Sequence, residues 1–174
     1  MRHRFAARSS RISWPAIALA ALLAIPGAAS RAIAQPGTGQ VVPLSATAIP
    51  EADWIQPEAL NQLLTSNPAA ERPVVLQVGF RVMFNQAHVA GSQYVGPDSK
   101  PEGIRLLEAA VSSVSKDRLI VLYCGCCPWT RCPNVGPAYR RLRELGFTHV
   151  KVLYLANNFG DDWVGKGYAT ARGQ

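Results

Sequence analysis

Four cysteines, Cys124, Cys126, Cys127 and Cys132, fall within nine residues of a 174-residue chain that contains no others. Bridges between such near neighbours cannot tie distant parts of a fold together, so the cluster points to local chemistry rather than a disulfide scaffold. A thiol reacts as its thiolate, and at an ordinary pKa near 8.5 only about 3% is ionised at pH 7. Reactive chemistry here therefore requires an environment that favours the anion. Cys124-x-x-Cys127 has the spacing of redox dithiols, in which one thiolate attacks and the second resolves the mixed disulfide. A bridge between the adjacent Cys126 and Cys127 is disfavoured, because consecutive Cα atoms lie about 3.8 Å apart and an ordinary disulfide spans at least about 4.4 Å. Pairing of Cys124 with Cys126 or Cys127, or of Cys132 with one neighbour, stays open. Metal capture is another chemistry: the spacing lacks the paired Cys-x2-4-Cys units of structural zinc sites, whereas Cu(I) accepts two or three soft sulfur ligands. An inert disulfide clasp in a binding module is the plainest alternative.

The elements that must position this cluster can be read from apolar periodicity. Pro57 starts a first helix whose Ala59, Leu60, Leu63 and Leu64 share a face, ending at Asn67-Pro68. Val74 to Val78 is a β-branched run of the kind buried on both faces of a sheet. Residues 80–100 read as irregular, with Gly91, Gly96 and Pro97 as turn signals. A second helical face follows Pro101 from Ile104 to Val114, then a second strand, Leu119 to Tyr123, at whose end the cysteines begin. Pro137 to Leu145 predicts a third helix closed by Gly146, and Val150 to Leu153 a third strand. Strands alternating with helices, without clean polar alternation, imply a small open parallel α/β sheet covered by helices on both faces. In such sheets ligands sit beyond the carboxyl ends of the strands, where the cysteine loop falls. Gly125 and Gly136 fit neither phosphate-loop nor dinucleotide patterns.

Composition is that of one globular domain with appendages: 48% hydrophobic and 17% charged residues. The formal net charge of +7 suggests an anionic partner until it is located. Arg2, Arg4, Arg8, Arg11 and Arg31 lie in the first 34 residues, leaving thirteen basic against eleven acidic groups in the remainder. A nearly neutral body argues against nucleic-acid binding. A basic start, an apolar run from Trp14 to Ala29 and Ala32-Ile33-Ala34 read as a signal peptide cleaved after Ala34. The apolar run is shorter than the roughly 20 residues a spanning helix needs, so no membrane association is expected after cleavage, and a periplasmic location follows. Residues 35–50, rich in Pro, Gly, Thr and Ala, read as a linker, leaving 51–174 as the domain.

The strand ending in Tyr123-Cys124, the helix ending Leu145-Gly146-Phe147, the strand from Val150, and the Gly-Asp-Asp-Trp stretch at 160–163 resemble, in order, the rhodanese-like domain. Val74 to Gly79 is similar to that family's Leu-Leu-Asp-Val-Arg strand, and Ala87-His88-Val89-Ala90-Gly91-Ser92 to its Gly-His-Ile-Pro-Gly-Ala turn. The likeness runs from about Ile55 to Tyr168. It implies a thiosulfate-type sulfurtransferase in which Cys124 is the nucleophile and carries a persulfide, with a small sulfur donor and a thiol acceptor as partners; a redox partner protein is the dithiol alternative. No cofactor is called for. The chain departs from the family at Gln77, where an Asp is usual, at Gly79, where Arg is usual and Arg81 follows, and in a longer loop with three extra cysteines. Phosphatases of this fold use Cys-x5-Arg, whereas Arg131 lies seven positions after Cys124.

Loop amides curling over the sulfur before a helix N-terminus are expected to favour the Cys124 thiolate, with Arg131 adding a full charge and stabilising the transferred sulfur. Gly125, Trp129 and Thr130 are the expected substrate-binding positions, and Cys126, Cys127 and Cys132 the resolving or redox cysteines. His88 is expected to be a structural hydrogen-bonding residue, His149 a surface residue, and Phe159 and Trp163 core. Asp161 and Asp162 form no acid–base pair with a visible partner.

Overall fold

The computed structural model describes residues 48–173. The signal peptide assigned to 1–34 and the linker up to residue 47 lie outside the described residues. Within them, no helix is long and apolar enough to cross a membrane.

The three β-branched runs become the centre of one sheet: β2 (Val74–Gln77), β5 (Ile120–Tyr123) and β6 (Val150–Leu153). β1 (Trp54–Ile55) flanks β6 and β4 (Gln93–Tyr94) flanks β2, giving the order β1-β6-β5-β2-β4. Every pairing in it is parallel. Side chains alternate between two cores, as a doubly covered sheet requires. Leu76, Ile120, Leu122 and Val152 pack with Leu107 and Val111 of α3 (Pro101–Val111) and with Ala138 and Leu142 of α4 (Val135–Glu144). Val75, Val121, Tyr123 and Leu153 pack on the other face with Leu60 of α1 (Pro57–Ser66), Phe159 of α5 (Phe159–Asp162) and Trp163. The helices therefore cover both faces, as expected.

The segment 80–100 is more ordered than its turn signals suggest. It contains α2 (Arg81–Gln86), β3 (His88–Val89) and β4, and β3 pairs antiparallel with β7 (Thr170–Ala171) in a second, two-stranded sheet. α2 buries only Phe84, so it has no apolar stripe to read, and each of these strands is two residues long with a partner distant in sequence. The domain also begins earlier than residue 51: Ile49 is 2% exposed in the core, and its carbonyl accepts the indole N–H of Trp54 at 3.0 Å.

Candidate active site

β5 is the middle strand of the sheet, and Cys124 is the first residue beyond it. Gln77, at the end of β2, is buried and anchors the turn: its Nε2 donates to the Cys124 carbonyl at 3.0 Å, and its Oε1 accepts from the Gly79 amide at 3.2 Å. A Cβ on Gly79 would stand 2.7 Å from the Cys124 carbonyl oxygen and 3.1 Å from its Sγ. No larger residue fits there, and Arg81, two positions on, lies over the Tyr94 ring at 4.0 Å. Gly125 turns the chain with φ +78°, and a Cβ there would meet the Phe159 Cβ at 3.0 Å. Its carbonyl accepts the Phe159 amide at 3.3 Å, which fastens the start of α5 to the loop. The loop returns through a 3-10 turn, Trp129–Arg131, held by the Trp129 amide on the Leu155 carbonyl and by packing of Trp129 against Trp54 and Tyr154.

This framework brings all four sulfurs together as free thiols. Cys124 is 4% exposed, with its Sγ 3.0 Å from that of Cys126, which is in turn 3.4 Å from that of Cys127. The Sγ atoms of Cys124, Cys127 and Cys132 lie within 4.8 Å of one another. Asn134 Nδ2 donates to Cys124 Sγ at 3.3 Å, while its Oδ1 accepts the Ser99 amide at 3.0 Å, which fixes the amide orientation. Thiol donation from Cys126, then from Cys127 and Cys132, brings Cys124 far below the ordinary thiol range despite burial, with Asn134 assisting. Donating to that sulfur, together with burial, pushes the other three thiols up.

The source of this stabilisation differs from the expectation. The amides of Asn134 and Val135, at the start of α4, lie against Cys132 rather than Cys124. Arg131 is exposed, and among the described residues nothing hydrogen-bonds or ion-pairs with its guanidinium; its backbone takes part instead, the amide donating to the Pro128 carbonyl at 2.9 Å and the carbonyl accepting from the Cys127 thiol at 3.7 Å. Beneath the sheet edge, Asp98 is buried with both carboxyl oxygens unpartnered. Burial and the Cys124 charge push it up to about 8, so it is neutral at pH 7.

Met83, Ala87, Gly125, Cys126, Cys127 and Phe159 line a groove of about 640 Å3, whose rim carries Asn157, Asn158 and Asp161. A smaller pocket of about 20 Å3, between Gln77, Met83, Ala87, Tyr123, Gly125 and Phe159, has Cys124 in its wall and shares Met83, Ala87, Gly125 and Phe159 with the groove. Of the expected substrate-binding positions, Gly125 lines this groove, Thr130 is exposed on the 3-10 turn, and Trp129 is buried in the core.

No family model and no curated protein sequence matches the chain. Among solved structures it resembles the crystal structure of the Alr3790 protein from Anabaena sp., with TM-score 0.52 and 24% identity over 68% of this chain and 82% of that one. The solution structure of the rhodanese-like domain from the same Anabaena protein gives TM-score 0.50 and 24% identity over 69% and 79%. The chain carries a domain of the rhodanese-like fold. An anaerobic ergothioneine biosynthesis enzyme from Chlorobium limicola shares this rhodanese-like architecture over 68% of the present chain and 28% of its own, at 20% identity and TM-score 0.50.

Within this rhodanese-like domain the remaining expected residues have structural places. His88 is buried, stacked on Phe84 at 3.8 Å, with Nδ1 2.8 Å from the Phe84 carbonyl. His149 is exposed, and Phe159 and Trp163 are core. Asp162 accepts the Asn157 and Asn158 amides, and the Asn158 side chain caps α5 by accepting the Asp161 amide. Asn134, Gln77 and Asp98 escaped sequence reasoning as site residues. Two of them carried a signal: Gln77 stood out as a departure from the family's Asp, and Asn134 is a polar residue directly before a helix, a pattern that reads as an N-cap.

Proposed function

We propose that this domain is a sulfurtransferase that carries sulfane sulfur as a persulfide on Cys124, acting in the periplasm after removal of residues 1–34. The observation that carries the proposal is the Cys124 sulfur beyond the central strand, buried yet favoured as the anion by three thiols and an amide. Its thiolate attacks the outer sulfur of a donor such as thiosulfate, forming the Cys124 S–S bond while the donor's S–S bond breaks and sulfite leaves with the electron pair. An acceptor such as cyanide then takes the outer sulfur as thiocyanate and returns the thiolate. Each step conserves charge without an external oxidant. Asn134 and the Cys126 thiol are placed to keep the leaving Cys124 thiolate stabilised in the second step.

The test is thiosulfate-to-cyanide turnover with intact mass measurement. The donor alone should add about 32 Da, the mass of one sulfur, to the chain, and reductant should remove it. Cys124→Ser should abolish both gain and turnover; retained turnover in that variant overturns the assignment.

The 3.0 Å contact between Cys124 and Cys126 supports a second reading, thiol–disulfide exchange, with Cys126 rather than Cys127 as resolving residue. Cys124 would attack a partner's disulfide and Cys126 would close the internal bridge, passing two electrons to the partner. Here Cys126→Ser should trap the mixed disulfide, and thiosulfate should be inert.

A further inference from the structure

A second guest fits the same sulfurs. A void of about 10 Å3 lies between Cys124, Cys127 and Cys132, and the rest of its wall is Gly125, Trp129, Val135, Leu153 and Leu155. That is room for one small guest, a single ion or one water. The side chains lining it offer sulfur and hydrocarbon, with no carboxylate or imidazole. We propose that Cys124, Cys127 and Cys132 form a three-sulfur site for Cu(I).

The geometry suits a trigonal ion. Metal–thiolate bonds of about 2.3 Å place the three sulfurs of such a site about 4 Å apart, within the 4.8 Å that bounds this trio. Cys126 stands outside the trio and lines the groove instead. Three soft ligands satisfy Cu(I), whereas zinc takes four in its structural sites. Two of the ligands are buried and the third is half-buried, so the ion is shielded from solvent once seated. On binding, the ion displaces the protons that the three thiols still carry, which leave to water, because only thiolates ligate. The site gives Cys127 and Cys132 a second role beside donating to the Cys124 sulfur. Ion and persulfide then compete for one sulfur, so copper loading stops turnover.

The test uses the purified full chain, reduced and kept under nitrogen, titrated with Cu(I) against bathocuproine disulfonate as competing chelator. One Cu(I) per chain is expected, with three sulfur neighbours and no nitrogen or oxygen in its X-ray absorption spectrum. Cys127→Ser and Cys132→Ser should each weaken binding by more than the roughly 10–100-fold that loss of an outer-sphere partner costs, while Cys126→Ser, which alters only such a partner, should cost no more than that. Cys127 is half-buried, so its variant tests the site even if the buried Cys132→Ser variant fails to fold. Equal loss in Cys126→Ser, a four-sulfur shell, or affinity unaffected by Cys127→Ser overturns the proposal. The titration uses no sulfur donor, so its failure and failure of the sulfurtransferase proposal are separate results.

Discussion

Cys124 is held as an anion by hydrogen-bond donors rather than by a cation, so its reactivity depends on neighbours that are themselves oxidisable. Charge-assisted donors are worth about 1.5–3 kcal/mol each. Cys126→Ala removes the nearest one and should move the midpoint of the Cys124 alkylation-rate profile toward higher pH, whereas Cys126→Ser keeps a donor and should hold the midpoint close to the parent's. Identical profiles for the two variants would remove Cys126 from the account. Asp98 gives a pH dependence of stability. Its proton is held in the fold up to about pH 8, against an ordinary value of 3.8. Between these values the unfolded chain binds fewer protons than the folded one, so this contribution is present below about pH 4 and is lost by about pH 8. Asp98→Asn abolishes the loss, and its stability relative to the parent should rise through that window by an amount on the order of a few kcal/mol, read from urea melts at a series of pH values.

The elements that place Cys124 were legible to different degrees, for physical reasons. β2, β5 and β6 are central and buried on both faces, so their side chains are continuously apolar and visible without partners. The position of Cys124 beyond the middle strand followed from that pattern alone. β4 and α2 owe their existence to tertiary pairing and to one buried side chain, Phe84, which leaves no period to detect. The polar partners of Cys124 were hidden for a related reason: Asn134, on its sulfur, and Gln77, on its carbonyl, are side chains whose aim is set by where α4 and β2 lie in space. Gly79 shows how tightly the ends of β2 and β5 meet. Gly79→Ala places a methyl 2.7 Å from the Cys124 backbone oxygen, which cannot yield as a flexible side chain would. The substitution should cost about 1–3 kcal/mol in denaturant unfolding and slow Cys124 alkylation more than it alters the far-UV spectrum.

At the scale of the whole molecule, the boundary of the domain is set by packing rather than by composition. The uncharged, proline- and glycine-rich stretch before residue 51 reads as linker, yet Ile49 is buried with the core that carries Cys124 and Trp129, and Trp54 is hydrogen-bonded back to it. Chains shortened to begin at residue 51 should therefore be less stable than chains beginning at residue 48, by about the 1.5–3 kcal/mol that burying one such side chain contributes. Equal melting temperatures would place Ile49 outside the cooperative unit. Trp54 also stacks on Tyr154 and meets Trp129 edge-on, so the same edge strand that anchors the N-terminal segment braces the cysteine loop. The small pocket against Cys124 has its own consequence. About 20 Å3 takes a cyanide ion or the terminal atom of an inorganic donor more readily than a bond flanked by two folded backbones, so bulk separates the two proposed chemistries. For the proposed sulfur carrier this sets an order among acceptors: release of sulfur from Cys124 should be faster to cyanide or a small thiol than to a protein thiol of the same basicity, and equal rates would show that the pocket does not govern access.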